Sequence, residues 1–514
     1  VVDAIIPTVS SVSSTTPDSI YNIGDTLVIT VNFPETVVVD TSTGKPQLTL
    51  ETGAVNAVVD YTSGSGSTAL SFQYIIVQDH TSEDLDYIGT DALSLNGGTI
   101  RDLANNYATL TLPAPGASES LSANKALVVD GVIPTIISSI SSTLSDGTYK
   151  IGDTLGTAIN FSELVYVTGT PQLTMETGDP DGVADYASGS ATSTLIFNYI
   201  VIGGHNSTDL DYASDSALAL NIGTIIDPSG NNANLTLPIP GSPTSFSANK
   251  AIIVDGIVPT VDNVSSPDND GMLIFGSTAG ITITFSEVVA VTGTPQLTIE
   301  TGTNDAVLDY TSGSGSATLT FNYTVAAGHT SSDLDYTSSS ALALNGGIIR
   351  DGAGNDATIA LPAPAGTGSL AANKALVVDG VAPLLTSVTS AVADGNYKIG
   401  DTIPVSIVFD DTVYSIGTPQ ISLVTSSSGN TLVNYSTGSG SPVLIFDYVV
   451  EDGHEINDLD YTNTSALTLN GGTIKDFSGN NATLTLILPG NTGSLGNNKD
   501  LVVDGIIAAV SGVT

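Results

Sequence analysis

The chain contains no cysteine and no tryptophan among its 514 residues. Without cysteine, neither disulfide bonds nor thiolate metal sites can hold the fold together. Only 10 residues are basic against 52 acidic ones, which gives a net charge of −42. Nucleic acids and anionic membranes bind basic surfaces, so this composition argues against both as partners.

Long hydrophobic runs are also missing, so no segment is predicted to span a membrane as a helix. The opening residues VVDAIIPTVS lack the layout of a signal peptide, and we expect a processed protein or an excised piece of a longer one. Acidic chains are often disordered, but 41% of these residues are apolar and they alternate in short runs. The pattern favours a folded, extracellular all-β protein.

The sequence repeats itself. The motif VVDG or a variant recurs at Asp3, Asp130, Asp255, Asp379 and Asp504, at intervals of 124 to 127 residues. A unit of this length can bury a core of its own. We predict four domains, 1–129, 130–254, 255–378 and 379–505, with 506–514 as the start of a truncated fifth repeat or a C-terminal tail.

Within each repeat, short alternating runs such as TLVITVNF, PQLTLET and AVVDYTSG are separated by turn-rich stretches such as TSGSGS. Seven or eight strands at this spacing predict an antiparallel Greek-key sandwich. The predicted core positions of the first repeat are Leu48, Leu50, Phe72, Tyr74, Leu93, Leu95, Leu110, Leu112, Leu127 and Val129. The junctions are short, and each carries a proline (Pro7, Pro134, Pro259 and Pro383), so we expect an extended rod.

One stretch of every repeat keeps a constant length. Each repeat contains one of the strings HTSEDLDY, HNSTDLDY, HTSSDLDY and HEINDLDY. Another aspartate lies 16 residues after the second aspartate of DLD, and the linker aspartate lies 28 residues after that. Surface loops normally tolerate insertions, so constant spacing suggests a geometric constraint. Recent duplication is the alternative, although residue identities vary freely in the same stretch.

Five positions are acidic in all four repeats. They are the acid two residues after Phe (Glu35, Glu163, Glu287, Asp411), the first DLD aspartate (Asp84, Asp209, Asp333, Asp458), the second (Asp86, Asp211, Asp335, Asp460), the IxD aspartate (Asp102, Asp227, Asp351, Asp476) and the linker aspartate (Asp130, Asp255, Asp379, Asp504). Calcium takes about six to eight oxygen ligands from carboxylates, carbonyls and amides. We predict these residues as calcium ligands at the junctions, with helix caps and turn-forming aspartates as the alternative.

Local patterns extend this prediction. In an extended DLD segment, Asp84 and Asp86 would face the same way while Leu85 turns to the core. The IxD aspartate begins a turn whose fourth residue is Gly or Asn, which predicts a left-handed backbone there. Its fifth residue is always Asn (Asn106, Asn231, Asn355 and Asn480). The turn would supply both side-chain and carbonyl oxygens.

Histidine and lysine recur as well. Each of the four histidines lies four residues before a DLD motif, but one His per repeat does not make a zinc site, so a turn cap or a hydrogen bond to Asp is favoured. A lysine precedes each last strand (Lys125, Lys250, Lys374 and Lys499). An ion pair or a partly buried stem is favoured over an isopeptide cross-link.

Catalytic motifs are lacking: there is no G-x-S-x-G elbow and no glycine-rich phosphate loop before a helix. Carboxylate pairs serve glycosidases, but an active site is not usually built four times along one chain. We therefore expect no enzyme.

The strings FSEVVAVTGTPQLTIETG, DYTSGSGSATLTFNYTV, SSDLDYTSSSALALNGG and DGAGNDATIALPAP resemble the tandem immunoglobulin-like, cadherin-like repeats of large bacterial adhesins. The resemblance covers 1–505. It implies Ig-like β-sandwiches, an extracellular or cell-surface location, and junctions rigidified by calcium. Departures occur at FPE and DLANN in repeat 1, SSPDNDGMLIFGSTAG in repeat 3 and FDD in repeat 4.

We expect a non-catalytic structural protein, a calcium-rigidified spacer segment of a large bacterial surface adhesin. Its partners would be neighbouring repeats or copies of itself end to end, with a host or matrix surface bound through other regions. The alternative is a self-assembling subunit of an extracellular filament, sheath or surface layer, formed by head-to-tail stacking of the two junction motifs. A carbohydrate-binding module would need an exposed aromatic platform and is disfavoured.

Overall fold

A computed structural model describes residues 4–508. Strands make up 46% of the chain and helices 3%, so the all-β prediction is confirmed. The chain divides into two units, Val1–Ile257 and Val258–Thr514. Asp3, in the first junction motif, and residues 509–514 of the expected tail lie outside the described residues. No helix among the described residues has the length and apolar character needed to cross a membrane.

Each unit contains two repeats. The elements of repeat 1 are β1 (Ser11–Ser14), β2 (Ser19–Tyr21), β3 (Thr26–Asp40), β4 (Gln47–Leu50), β5 (Ala57–Ser63), β6 (Ser67–Ile75), β7 (Thr81–Ser82), β8 (Leu93–Ser94), β9 (Thr99–Asp102), α1 (Leu121–Asn124) and β10 (Leu127–Asp130). Those of repeat 2 are β11 (Gly147–Lys150), β12 (Thr154–Thr168), β13 (Gln172–Met175), β14 (Gly182–Ser188), β15 (Thr192–Ile200), β16 (Asn206–Ser207), β17 (Leu218–Ala219), β18 (Thr224–Ile226), α2 (Phe246–Asn249) and β19 (Ile252–Asp255).

The second unit repeats this order. Repeat 3 contains β20 (Val261–Ser265), β21 (Gly271–Ile274), β22 (Thr278–Thr292), β23 (Gln296–Ile299), β24 (Ala306–Ser312), β25 (Ser316–Thr324), β26 (Thr330–Ser331), β27 (Leu342–Ala343), β28 (Ile348–Arg350), α3 (Leu370–Asn373) and β29 (Leu376–Asp379). Repeat 4 contains β30 (Leu385–Ser390), β31 (Gly395–Lys398), β32 (Thr402–Ile416), β33 (Gln420–Ser426), β34 (Gly429–Thr437), β35 (Ser441–Val449), β36 (Glu455–Ile456), β37 (Leu467–Thr468), β38 (Thr473–Lys475), α4 (Leu495–Asn498) and β39 (Leu501–Asp504).

Each repeat builds one large sheet and one small sheet. In repeat 1 the large sheet has the order β1-β3-β6-β5-β4-β8, with β9 also paired to β3, and the small sheet has the order β2-β10-β7. All its pairings are antiparallel except that of β2 with β10, which is parallel. The same parallel pairing recurs in the other repeats as β11 with β19, β21 with β29 and β31 with β39.

The longest strand of each repeat carries a bulge. Strand β3 pairs with β6 along its first half and with β9 along its second half, and its register shifts between Asn32 and Val37. The equivalent shifts lie between Asn160 and Val165, Thr284 and Val289, and Val408 and Val413. A bulge releases the strand from the ladder and redirects its side chains. The acid two residues after Phe lies within this stretch in every repeat.

Four separate hydrophobic cores form, one within each repeat. Alternation along the strands produces them: in β6, Leu70, Phe72 and Tyr74 are buried while the residues between them are not. Eight of the ten predicted core residues of repeat 1 are fully buried, and Leu95 and Leu110 are partly buried against the same core. Leu85 of the DLD motif is also buried, as predicted.

Some local predictions were wrong. The alternating run ATLTLP (108–113) was also predicted as a strand, but it forms no strand and contributes isolated bridges, such as that between Thr8 and Thr109. Two short strands, β2 and β7, were not predicted, nor was the helical turn α1. Its N-cap is Ser120, whose side chain accepts the N–H of Ala123. A single turn is too short to show helical periodicity, and two or three residues are too few to show alternation.

Candidate functional site

Three of the five positions that are acidic in every repeat come together at the junction between repeats 1 and 2. Asp130 ends β10, Glu163 lies in the bulge of β12, and Asp227 follows β18. One carboxylate oxygen of each residue lies within 4.8 Å of the others. We call these three residues the junction cluster. Two different repeats supply its members, since Asp130 ends the last strand of repeat 1 and Glu163 and Asp227 both belong to repeat 2.

The turn after β18 fixes the Asp227 carboxylate. Its Oδ1 accepts the backbone N–H groups of Ser229, Gly230 and Asn231 at 2.6–2.8 Å. Gly230 has φ +102°, which confirms the left-handed position predicted from the sequence. The turn thus aims one carboxylate at the linker with its geometry set by backbone donors.

Glu163 is the member of the junction cluster whose carboxylate is least well stabilised by the protein. Its Oε1 is shielded from solvent and has no hydrogen-bond partner. Burial raises the pKa of Glu163, and the neighbouring charges of Asp227 and Asp130 raise it further. An ionised carboxylate without a partner, next to two others, favours either protonation or a bound cation.

Asn231 connects the two repeats directly. Its Oδ1 accepts the N–H of Ile23 from the β2–β3 loop of repeat 1 at 3.0 Å. Its Nδ2 lies 2.9 Å from the carbonyl of Asp130 and 3.2 Å from that of Val132, to which it donates, and it also donates to Asp227 Oδ2. We call this arrangement the amide lock. The sequence predicted that this turn would supply oxygens to calcium, whereas the Asn231 side chain bonds to the protein itself.

Serine adds a bond to the linker aspartate. Ser229 Oγ donates to Asp130 Oδ2 at 2.6 Å, and Asp130 Oδ1 accepts the N–H of Val132. Asn22 Nδ2 also donates to the Ser229 carbonyl, at 3.2 Å. The sequence analysis missed Ser229 and Asn22. A serine two residues after the IxD aspartate recurs once, as Ser478, and that recurrence was the signal available.

The junction between repeats 3 and 4, inside unit 2, has the same amide lock. Asn480 Oδ1 accepts the N–H of Phe275 at 2.9 Å, and its Nδ2 donates to the carbonyls of Asp379 and Val381. Asp476 Oδ1 accepts the N–H groups of Gly479 and Asn480. Ser478 Oγ donates to Asp379 Oδ2.

The carboxylates differ at this second junction. Asp411 takes the place of glutamate, is exposed, and accepts the N–H of the adjacent Thr412 at 2.6 Å. The preceding Asp410 accepts the N–H of Leu384. Among the described residues of unit 2, Asp411 does not join Asp379 and Asp476 in a three-carboxylate group. The shorter side chain binds its own backbone instead.

The remaining predicted acids of these positions are placed as follows. Glu35 lies in the β3 bulge with a buried, unpartnered Oε1. Burial acts to raise the pKa of Asp102, but hydrogen bonds from Asn106 and neighbouring backbone N–H groups outweigh it, so this pKa is lowered. Glu287 lies in the β22 bulge, and Asp351 accepts the N–H of Asn355. Asp255 and Asp504 each accept the N–H two residues ahead.

The second DLD aspartate anchors a loop within its own repeat. Asp86 Oδ2 accepts the hydroxyl of Ser122 at 2.6 Å and the N–H of Gly116 at 3.0 Å, and Oδ1 accepts the N–H of Tyr87. Asp211, Asp335 and Asp460 make the matching bonds to Gly241, Ala365 and Gly490. In unit 1, Asp86 and Asp211 take no part in the junction cluster.

The first DLD aspartates, Asp84, Asp209, Asp333 and Asp458, are exposed. Burial raises the pKa of Asp84, and the charge of Asp86 raises it further, so the two carboxylates are close. The structure leaves this pair apart from the junction cluster of unit 1.

The histidines support turns, as predicted, but their partners are tyrosines. His80 Nδ1 lies 2.9 Å from the Tyr74 hydroxyl, and the pairs Tyr199–His205, Tyr323–His329 and Tyr448–His454 repeat the contact at 2.6–3.0 Å. The recurring lysines bind oxygen. Lys125 forms an ion pair with Asp18 at 3.1 Å, and Lys250, Lys374 and Lys499 donate to backbone carbonyls.

Comparisons with known proteins give no family. No family model matches the chain, and no curated protein does. Solved structures with some similarity include the plexin A4 extracellular region, domains 1 to 10 (10% identity, 94% of this chain, 37% of that chain, TM-score 0.14), and Escherichia coli alpha-2-macroglobulin activated by porcine elastase (9%, 96%, 44%, TM-score 0.12). This chain spans less than half of either. Such TM-scores carry no argument about fold or function.

Proposed function

We propose that the chain is a non-catalytic extracellular structural protein. In this proposal, tandem Ig-like, cadherin-like β-sandwich repeats serve as a spacer segment of a large bacterial surface adhesin, and calcium stiffens their junctions. Neighbouring repeats, or further copies end to end, are the partners, and adhesion to a host or matrix surface belongs to other regions. The observation that carries the proposal is the junction cluster, which joins carboxylates from two repeats at one linker.

Ligand chemistry favours calcium over other cations. The junction cluster offers oxygen ligands only, without the imidazole or thiolate that zinc and copper prefer. Carbonyls of the linker and water would complete the six to eight oxygens that calcium takes at about 2.3–2.6 Å. The unpartnered Glu163 Oε1 is the atom with the most to gain from a cation.

A bound cation would act between repeats. Asp130 belongs to the exit of repeat 1, and Glu163 and Asp227 belong to repeat 2. Binding to the closed junction alone favours that state over every state in which the repeats swing apart. At 100 times its dissociation constant, one ion would contribute about 2.7 kcal/mol.

The test is thermal unfolding of the full chain in calcium and in chelator. We expect calcium to raise the Tm of the wild-type chain by several degrees, since about 2.7 kcal/mol corresponds to roughly 5–10 °C for a unit of this size. Glu163→Gln should lose most of the increase assigned to unit 1. The matched control Asp411→Asn, at the equivalent but exposed position of repeat 4, should leave the increase unchanged.

Equal melting in calcium and chelator would overturn the calcium part of this proposal. Electron microscopy of the same samples addresses the structural role. Isolated molecules agree with a spacer, whereas ordered polymers would favour the self-assembling subunit.

A further inference from the structure

The turn that carries each histidine clasps the glycine through which the chain leaves the repeat. In repeat 3, the N–H of Gly328 donates to the carbonyl of Gly380 at 3.0 Å, and the N–H of Gly380 donates to the carbonyl of His329 at 2.7 Å. The same two bonds join Asp79 and His80 to Gly131, Gly204 and His205 to Gly256, and Gly453 and His454 to Gly505. We call this pair of backbone hydrogen bonds the exit clasp.

The exit clasp is tight enough to require glycine. A Cβ on Gly380 would lie 2.3 Å from the carbonyl oxygen of Ala326 and 3.2 Å from that of His329. A Cβ added at Gly131 would lie 2.5 Å from the carbonyl oxygen of Val77. Any loosening of the histidine turn therefore frees the linker at the point where its direction is set.

The histidine ring holds the turn in place. His329 Nδ1 lies 3.0 Å from the Tyr323 hydroxyl and 3.2 Å from the backbone nitrogen of Ala326, and its ring stacks on Tyr323 with centroids 5.8 Å apart. Tyr323 belongs to the core of repeat 3. The ring thus connects the exit clasp to the hydrophobic core of the repeat.

The donors around Nδ1 define the protonation state that the turn needs. An amide N–H can only donate, so Nδ1 must offer its lone pair to Ala326. Burial raises the pKa of Tyr323 to about 12, so the phenol keeps its proton and is a second donor at neutral pH. The neutral imidazole with its proton on Nε2 accepts from both groups. The imidazolium has no lone pair on Nδ1, so it loses the bond from Ala326 and keeps the Tyr323 contact only if the phenol oxygen becomes the acceptor.

We propose that protonation of His329 opens the exit clasp at Gly380, so that the linker between repeats 3 and 4 loosens on acidification. Repeat 4 has the same contacts at His454, and repeats 1 and 2 share the clasp and the tyrosine–histidine contact. The proposal adds proton control to the structural role proposed above and rests on that role, but it does not depend on calcium.

The titratable groups around the histidines differ between repeats. Among the described residues, the titratable group that contacts the His329 ring is Tyr323. His80 contacts Tyr74, follows Asp79, and shares a cleft with Lys45 and Asp60.

Repeat 4 surrounds its histidine with more groups. His454 contacts Tyr448 and the Thr431 hydroxyl, accepts the N–H of Glu451, and precedes Glu455. Near pH 6 phenols are neutral and carboxylates are negatively charged. Neither group changes its charge in the pH range where an imidazole does.

Repeat 1 shows the direction of the effect. Burial lowers the pKa of His80, and the charge of Asp79 opposes this only in part. A lowered folded-state pKa means that the full stability of the clasp is present above the unfolded imidazole pKa of about 6.5. It is then lost as the pH falls below that value. In repeat 1, acid therefore opens the clasp and neutral pH closes it.

The test uses the absence of cysteine, which makes two introduced cysteines the only attachment points for spin labels. Val307→Cys in repeat 3 and Leu432→Cys in repeat 4 replace residues that are 56% and 61% exposed. The distribution of distances between the labels is measured in chelator from about pH 7.5 to about pH 5, above the ordinary carboxylate range. We expect the distribution to broaden about twofold, with a midpoint that matches the His329 imidazole titration followed by NMR.

Two controls keep the proposal falsifiable. The pair Val288→Cys and Val307→Cys lies within repeat 3 and should stay narrow, which shows that the repeat remains folded. The substitution His329→Gln, combined with the Val307→Cys and Leu432→Cys pair, should abolish the pH response. The distance distribution should then be the same, either narrow or broad, at both limits of the pH range. A distribution that does not broaden in the wild type, or a response that persists in His329→Gln, would overturn the proposal. Since calcium is absent throughout, neither result bears on calcium binding.

Discussion

The junction between repeats 1 and 2 and the junction between repeats 3 and 4 share one device and differ in another. Both use an asparagine whose oxygen accepts an N–H from the earlier repeat and whose nitrogen binds the linker carbonyls. Only the first, among these two, brings three carboxylates together. At the third position of the cluster the side chains differ by one methylene, and Glu163 reaches the linker aspartate whereas Asp411 does not.

This comparison separates two contributions to a junction. The amide lock is made of neutral hydrogen bonds and needs no ion. The junction cluster adds charge that the fold itself does not neutralise, and burial together with like charges raises the pKa of Glu163 as a result. A junction can thus keep its geometry while its dependence on a cation changes.

The largest expected effect comes from removing the lock. Asn480→Ala leaves the Phe275 N–H and the carbonyls of Asp379 and Val381 without their side-chain partner, at a cost of about 3 kcal/mol. Native-state hydrogen exchange at Phe275 should become about 100-fold faster. Asn231→Ala should do the same at Ile23, because the two locks match.

Asn481→Ala, at the exposed neighbouring position, is the control and should leave exchange at Phe275 unchanged. A lock that matters at one junction and not at the other would break the comparison.

The next effect is on calcium affinity, through a reciprocal exchange. Glu163→Asp shortens the carboxylate of the first junction and should weaken calcium binding there at least about tenfold, since one ligand is lost. Asp411→Glu lengthens that of the second junction and should add a calcium site to unit 2. Isothermal titration calorimetry of the full chain measures both. If Asp411→Glu binds no additional calcium, side-chain length is not what distinguishes the junctions.

A smaller effect concerns pH in the absence of calcium. The raised pKa of Glu163 means that its ionised form lowers stability above the ordinary glutamate pKa of about 4.3, and this loss is relieved as the pH falls through the folded-state pKa. In chelator at pH 7, Glu163→Gln should therefore be more stable than wild type, by about 1 kcal/mol. The advantage should vanish near pH 4.

Thermal unfolding across this pH range measures the difference. Asp411→Asn should show no such advantage, because Asp411 is exposed. A destabilised Glu163→Gln in chelator would show that Glu163 is not strained.

The smallest effect distinguishes the two linker serines. Ser229→Ala and Ser478→Ala each remove one hydroxyl from a linker aspartate, at about 1 kcal/mol in chelator. Calcium should reduce the cost of Ser229→Ala, because a cation compensates Asp130, and leave that of Ser478→Ala unchanged. Chemical denaturation with and without calcium tests this, and equal costs in calcium would contradict the difference between the junctions.

Much of the fold follows from period-two alternation and repeat length. Alternation placed the core residues of β4, β6 and β10, because one face of each strand is buried over several residues. The helical turn α1 and strand β7 were not predicted, because neither is long enough to show a period. The long strand β3 was predicted only for its first half, since the bulge interrupts its alternation.

The candidate site was predicted in part. Acidity in all four repeats identified Asp130, Glu163 and Asp227, which the fold brings together, and constant spacing linked two of them, Asp130 and Asp227. Spacing alone could not separate them from Asp86 and Asp211, because a carboxylate that anchors a loop is under the same geometric constraint as one that faces a linker. Nor could sequence show that Asn231 binds across the junction, since that depends on which loop of the earlier repeat comes within reach.

The parallel pairing of each repeat's last strand has a mechanical consequence. Strand β10, from which the chain leaves repeat 1, lies parallel to β2 near the point of entry, with Leu127 opposite Ser19 and Val129 opposite Tyr21. A pull on the two ends of the repeat draws these strands in opposite directions along their length. The hydrogen bonds between them then bear the load together, in shear, and do not unzip one after another. Tension carried along such a chain would meet its resistance at this short ladder, beside the exit clasp.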